Sequence, residues 1–229
     1  MTTQQEIGMS KLQVQYRLAM IQFLDFLDWV KVQDTEITNE SEAMAFEKWP
    51  HLMDLIQIIS LNRLLIVLKS RQVGVSWLLA SYALWTALYH PGANVLILSQ
   101  GKREAAELLD KIKFIYTHLP DGLQVPITKN STTEFQFDSI SSSITALPST
   151  ENAGRSETAT LIIQDEADYH ENLESNYAAI RPTIDAPGST SRHIIVSTAN
   201  YETYASFFKL SYLKSSDVDE SGVSLKNGL

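Results

Sequence analysis

Four short, mostly apolar runs, at 64–68, 93–98, 160–163 and 193–196, alternate along this chain with segments patterned for helix. The run Leu64-Leu65-Ile66-Val67-Leu68 has no polar alternation, which marks a strand buried on both faces. Residues 75–89 and 103–118 read as helices, the second amphipathic, with Ala105, Leu108, Leu109, Ile112, Ile115 and Tyr116 on one side. Further helices are expected at 173–180 and 204–213. The weaker alternation at 133–137 and 143–147 suggests a hairpin. Strands that alternate with helices dictate a mostly parallel sheet covered on both sides.

The first sixty residues differ in character. Leu12, Tyr16, Ala19, Met20, Phe23, Leu24, Leu27 and Val30 recur at spacings of three and four, so one amphipathic helix is expected over 10–32. Residues 33–41 are polar and read as a loop. Trp49-Pro50 either ends one short helix or starts another. The expected organisation is a helical lead-in over 1–60, an α/β core over 61–213 and a polar, Gly- and Ser-containing tail over 214–229.

Composition narrows the chemistry. There is no cysteine, which excludes disulfides, thiolate metal sites and a cysteine nucleophile. The five histidines are scattered without metal-ligand spacing. The net charge of −9 argues against a non-specific nucleic-acid coat, but residues 61–118 carry seven basic and three acidic side chains. That positive block can meet phosphate. The apolar helix at 75–89 is shorter than the roughly 20 residues that span a bilayer, so no membrane partner is expected. Residues 1–8 lack a basic leader region, so no secretory signal is expected.

The first apolar run leads into Lys69-Ser70-Arg71-Gln72-Val73-Gly74-Val75-Ser76 and then a helix. Strand, loop and helix form the context of a phosphate-binding loop, in which free N–H groups and the helix dipole favour an anion. Gly74 permits close backbone approach, and the Ser76 hydroxyl suits a phosphate-bound Mg²⁺. The usual pattern is G-x-x-x-x-G-K-[ST]. Here Val75 holds the lysine position and Lys69 the first glycine position, so Lys69 and Arg71 are the cations left to reach inward. Taken alone, the loop fits an ordinary strand-to-helix turn equally well.

About ninety residues on, Leu161-Ile162-Ile163-Gln164 ends in Asp165-Glu166. Ligands of parallel sheets sit at the carboxyl ends of the strands. That expectation puts Asp165 beside the phosphate loop, holding Mg²⁺ directly or through water. Glu166 is suited to orient and deprotonate a water attacking the last phosphate. The bland alternative is a helix-capping acidic cluster, since Asp168 and Glu171 follow.

Lys69 to Ser76 (KSRQVGVS), Leu161 to Glu166 (LIIQDE) and Val196 to Asn200 (VSTAN) together resemble the large subunit of tailed-phage terminases. The resemblance covers about 46–213. It implies a P-loop NTPase fold of the ASCE type, ATP and Mg²⁺ as ligands, and ATP hydrolysis that drives double-stranded DNA into a procapsid. Lys69 and the backbone through Ser70, Arg71, Gln72, Val73, Gly74, Val75 and Ser76 would hold the phosphates. Arg71 would also stabilise the outer phosphate. Asp165 and Ser76 would hold Mg²⁺, and Glu166 would be the catalytic carboxylate. Ser197, Thr198, Ala199 and Asn200 match the family's coupling motif. Arg155 matches an arginine finger that reaches a neighbouring subunit, or is an ordinary surface arginine. Implied partners are a portal or procapsid, a small terminase subunit and further copies in a ring, in the cytoplasm of an infected host.

Two departures stand out. The family's adenine-reading glutamine is missing beside Trp49-Pro50-His51, leaving Trp49 to stack on a base or simply to pack. No nuclease activity is expected, since the last acidic residues lie among Ser and Gly, not in an apolar strand. The alternatives are a helicase-like or remodelling ATPase, a non-hydrolysing nucleotide-binding subunit, and a metal nuclease built on Asp165, Glu166 and Asp168.

Overall fold

The computed structural model describes residues 10–33, 43–150 and 159–215. Residues 1–9, most of the expected loop at 33–41, the Arg155 segment and the tail beyond 215 lie outside the described residues.

Ser10 caps α1 (Lys11–Ile21). Its hydroxyl accepts the Gln13 N–H, and the Gln13 side chain accepts the Ser10 N–H in return. The single helix expected over 10–32 breaks at Gln22, whose backbone is extended at φ −119 and ψ 121. The chain continues as α2 (Phe23–Phe26) and one 3-10 turn (Leu27–Trp29). The break turns Phe23, Phe26 and Leu27 into the core together. The lead-in is not wholly helical either: β1 (Lys31–Gln33) and β2 (Ala43–Ala45) form a two-stranded antiparallel ribbon. Pro50 then starts α3 (Pro50–Leu61), where its missing N–H costs nothing.

The core follows as β3 (Leu64–Leu68), α4 (Val75–Tyr89), β4 (Asn94–Ser99), α5 (Lys102–Thr117), β5 (Lys129–Asn130), β6 (Glu134–Phe137), β7 (Ser142–Pro148), β8 (Leu161–Gln164), α6 (Leu173–Asp185), β9 (Arg192–Ser197) and α7 (Phe207–Ser215). One sheet runs β3-β9-β8-β4-β7-β6-β5. Its first five strands are parallel, and β6 and β5 add antiparallel at the far edge. This is a mostly parallel α/β sheet with helices on both faces.

Alternate residues feed opposite faces. Val95, Ile97, Leu161, Ile163, Ile194 and Val196 pack with α3, α4 and α5. Leu96, Leu98 and Ile162 pack with Ile180 and Ile184 of α6. Helix α4 is buried nearly all round, and its Ser81 and Thr86 hydroxyls donate back to the Trp77 and Tyr82 carbonyls. Its apolar surface therefore belongs to the core. Among the described residues no helix is long and apolar enough to cross a membrane.

Several boundaries move. Helix α6 passes Ile180 and Pro182 to reach Asp185, because Ile180 and Ile184 together cover the sheet. Helix α7 begins later than expected and runs to Ser215, whose side chain is buried, so the start of the expected tail is structured.

Candidate active site

The parallel strands end on one side, and there the chemistry gathers. Lys69 follows β3, Asp165 and Glu166 follow β8, and Thr198 to Asn200 follow β9. Strand β9 lies between β3 and β8, so Asp165 and the loop leave the sheet two strands apart, about 9–10 Å at ordinary strand spacing. Long side chains bridge that gap. Lys69 Nζ donates to Glu166 Oε1 at 2.8 Å, with the lysine side chain only 9% exposed. Lys69 N–H also donates to Ser197 O at 3.0 Å, which ties the loop to β9.

The loop turns on Gln72 and Gly74, both at positive φ, 58 and 76. Gly74 is the N-cap of α4. A Cβ there would lie 3.0 Å from Leu52 Cδ1 and 3.4 Å from Trp49 Cζ3. Helix α3 thus presses on the back of the loop, and His51 Nε2 bonds the Val73 carbonyl at 2.8 Å. Trp49 belongs to this backing. It is 39% exposed, donates its indole N–H to Glu47 and does not line the phosphate-loop cavity.

That cavity, of about 180 Å³, is lined by Lys69, Ser70, Gln72 to Trp77, and Lys111 from α5. Arg71 is exposed and is not part of the lining. Lys111 lacks any motif signal, because it reads as one more cation on an amphipathic helix. A larger cavity, of about 820 Å³, opens at the other end of the sheet among Phe23, Met53, Ile56, Tyr82, Trp85 and Arg192. Two of its polar side chains are spent on structure: Trp85 donates to Ala19 O, and Arg192 caps the end of α3 at Ile59, Ser60 and Asn62. Size alone therefore does not locate the chemistry.

Glu166 sits in the left-handed region at φ 51 and ψ 43, a conformation that costs a non-glycine residue roughly 1–2 kcal/mol. Such strain at a strand end marks a residue held in place for a reason. Its Oε2 accepts the Thr198 N–H at 3.2 Å and the Thr198 hydroxyl at 3.0 Å. Burial pushes the Glu166 carboxyl up, but Lys69 and Thr198 outweigh it and hold the group below its ordinary value. Asp165 goes the other way. Burial raises it, Lys69 opposes, and the neighbouring Glu166 charge raises it further. Its Oδ1 accepts the Glu166 N–H at 3.0 Å.

Asp168 ties the segment to α7. Its buried carboxylate accepts the Asn200 N–H at 2.6 Å and the Ser206 hydroxyl, and pairs with Lys209 at 3.5 Å. Its own N–H donates to Ser197 Oγ at 3.0 Å. Ala199 accepts the Tyr169 hydroxyl at 3.4 Å. The expected coupling segment is thus wired to Glu166 through Thr198, and to Asp168 through Ser197 and Asn200, with Asp168 in turn holding Lys209 of α7. The metal-nuclease alternative loses its third acid, because Asp168 is already engaged. Among the described residues no metal-ligating cluster of three acids or histidines forms. Arg155 lies outside the described residues.

A model of the family described as "Terminase large subunit, T4likevirus-type, N-terminal" matches residues 66–207, more than half of the chain. The chain belongs to this family. Among solved structures, this terminase chain is similar to the HK97 bacteriophage large terminase, with a TM-score of 0.58 and 14% identity over 80% of the chain. It spans only 37% of that protein's length. The Thermus phage P74-26 large terminase ATPase domain matches at TM-score 0.56 and 17% identity, covering 75% of this chain and 73% of that one. The N-terminal domain of the bacteriophage phi29 DNA packaging ATPase matches at TM-score 0.50 and 17% identity, covering 72% and 84%. At these identities the likeness establishes the fold.

Proposed function

We propose that this chain is the ATP-hydrolysing motor domain of a viral terminase large subunit, coupling Mg-ATP hydrolysis to translocation of double-stranded DNA into a procapsid. The observation that carries this reading is the Lys69–Glu166 pair at 2.8 Å. It joins the cation of a phosphate loop to the one acid suited to activate water. The cavity of about 180 Å³ is below the ~300–1,000 Å³ of pockets that enclose whole drug-sized ligands, so it takes the phosphate end of the nucleotide.

Phosphate competes with Glu166 for the Lys69 ammonium. Once Lys69 turns to phosphate, Glu166 loses the larger of the two influences that depress its pKa and becomes a stronger base for the attacking water. Thr198 keeps the carboxylate oriented, and its N–H carries the change into Ser197–Asn200. Asp165 and Ser76 would hold Mg²⁺. A buried carboxylate raised by burial and by a neighbouring charge gains from a divalent cation. Bound there, Mg²⁺ neutralises charge on the phosphate oxygens. Arg71, exposed on the loop, is the other cation available to the outer phosphate. Arg155 would serve as a finger in trans within a homo-oligomeric ring, a role worth ~10³–10⁵ in rate. The ring would dock on a portal or procapsid with a small subunit, in the host cytoplasm.

The test is ATP binding and turnover with and without duplex DNA at fixed salt. Turnover rises with DNA, and Lys69→Ala weakens ATP binding. Unchanged affinity in that variant refutes the assignment of the phosphate cation.

A further inference from the structure

The phosphate loop lacks the lysine that normally begins its helix, and Val75, at that position, is buried in the core. Lys69 is engaged with Glu166. The cavity nevertheless contains a second lysine. Lys111, two turns into α5, lines the same space as Gly74, Val75 and Ser76. Its ammonium lies over the Trp77 ring at 5.8 Å from the centroid. Trp77 is the third residue of α4, and its ring meets Phe114 edge-on at 5.8 Å. An aromatic platform anchored between two helices therefore holds this cation at the mouth of the loop. Its charge is also felt by Asp165, on the acid side of the cavity.

We propose that Lys111 is a nucleotide-binding residue that contacts the outer phosphates directly, supplying from α5 the positive charge that Val75 cannot. The assignment rests on the nucleotide-binding reading of the loop. The two cations divide the work. Lys69 exchanges between Glu166 and phosphate, whereas Lys111 makes no salt bridge with an acid among the described residues and serves as the standing electrostatic anchor. Cation–π contact with Trp77 costs little desolvation and fixes the side chain without neutralising it.

The experiment measures equilibrium binding of a fluorescent ATP analogue and of ADP to the parental chain, Lys111→Met, Lys111→Arg and Lys69→Ala. It is done once with Mg²⁺ and once with chelator, alongside the melting temperature. Methionine keeps the aliphatic cover over Trp77, so it removes the charge without opening the platform. The expected result is a roughly tenfold or greater loss of affinity in Lys111→Met, the scale of one charge-assisted hydrogen bond. That loss persists in chelator, the melting temperature is unchanged, and Lys111→Arg restores most of the binding. Parental affinity in Lys111→Met overturns the proposal, with Lys111 then a packing residue on Trp77. A loss seen only with Mg²⁺ also overturns it, because Lys111 then acts through Asp165 and the metal. A parental chain that binds neither nucleotide defeats the function reading itself and this one with it. Weakened binding in Lys69→Ala beside unchanged binding in Lys111→Met defeats this one alone.

Discussion

Two adjacent acids are held in opposite electrostatic states. Burial and the Glu166 charge push Asp165 up. Glu166 is held down, its burial outweighed by Lys69 and Thr198. Asp165 therefore costs stability when ionised and without a cation. Asp165→Asn is expected to raise the melting temperature in the absence of nucleotide by roughly 2–4 °C, the shift given by about 1 kcal/mol in a chain of this size. The same variant loses any dependence of nucleotide binding on Mg²⁺. Thermal melts with and without Mg-ATP check both. Gly74 makes the opposite prediction. At φ 76, with Leu52 Cδ1 3.0 Å from a new Cβ, Gly74→Ala faces left-handed strain of roughly 1–2 kcal/mol and a shifted loop. Denaturant titration reads the loss, and nucleotide affinity falls with it.

Two buried histidines set the acid response. Burial lowers His193 to about 3 and His170 to about 4. Both are depressed below the unfolded value near 6.5, so the unfolded chain binds more protons in that window. Stability is full above about pH 6.5 and falls as the pH drops toward the folded values. The depressed Glu166 adds a loss at still lower pH, and the raised Asp165 partly offsets it. Melting curves between pH 4 and 7 are expected to show this rise with pH, and His193→Gln flattens it.

At the scale of elements, the segment after β9 is a strap between the acids and α7. Asp168 fastens it through Asn200, Ser206 and Lys209. Removing one member of a buried charged network costs about 3–5 kcal/mol, so Asp168→Ala is expected to destabilise the fold by about 3 kcal/mol. Hydrogen exchange should rise first in α7 and the segment before it, with β3, β4 and β8 protected. Equal loss of protection everywhere contradicts the strap. Strands β3, β4, β8 and β9 were legible to within a residue, because uniform apolar runs between helices have few other ways to bury themselves. The ribbon of β1 and β2 was not, since three residues per strand are too few to show a period. The break at Gln22 was hidden because Met20, Phe23 and Leu24 continue the helical spacing across it. The expected helix ended at Ile180, but α6 carries on through Pro182 because burial of Ile184 outweighs one lost backbone bond.

For the whole molecule, order along the chain conceals order across the sheet. The loop lysine and the acid pair were both readable as motifs, yet β9 lies between their strands, and the length of Lys69 is what brings the two charges together. Lys111 and His51 were silent for the same reason: each reaches the loop from another helix, and nothing local in their sequence distinguishes them from surface residues. The Lys69–Glu166 pair at 2.8 Å closes that gap across the end of β9.

The most direct measurement is ATP binding and steady-state turnover of Glu166→Gln beside the parental chain, with Mg²⁺ and duplex DNA at one salt concentration. Losing a general base is worth ~10²–10⁴ in rate. Freeing Lys69 from its acid partner favours phosphate. The account predicts that Glu166→Gln binds ATP at least as tightly as the parent while turnover drops by that factor. Turnover at the parental rate would contradict it.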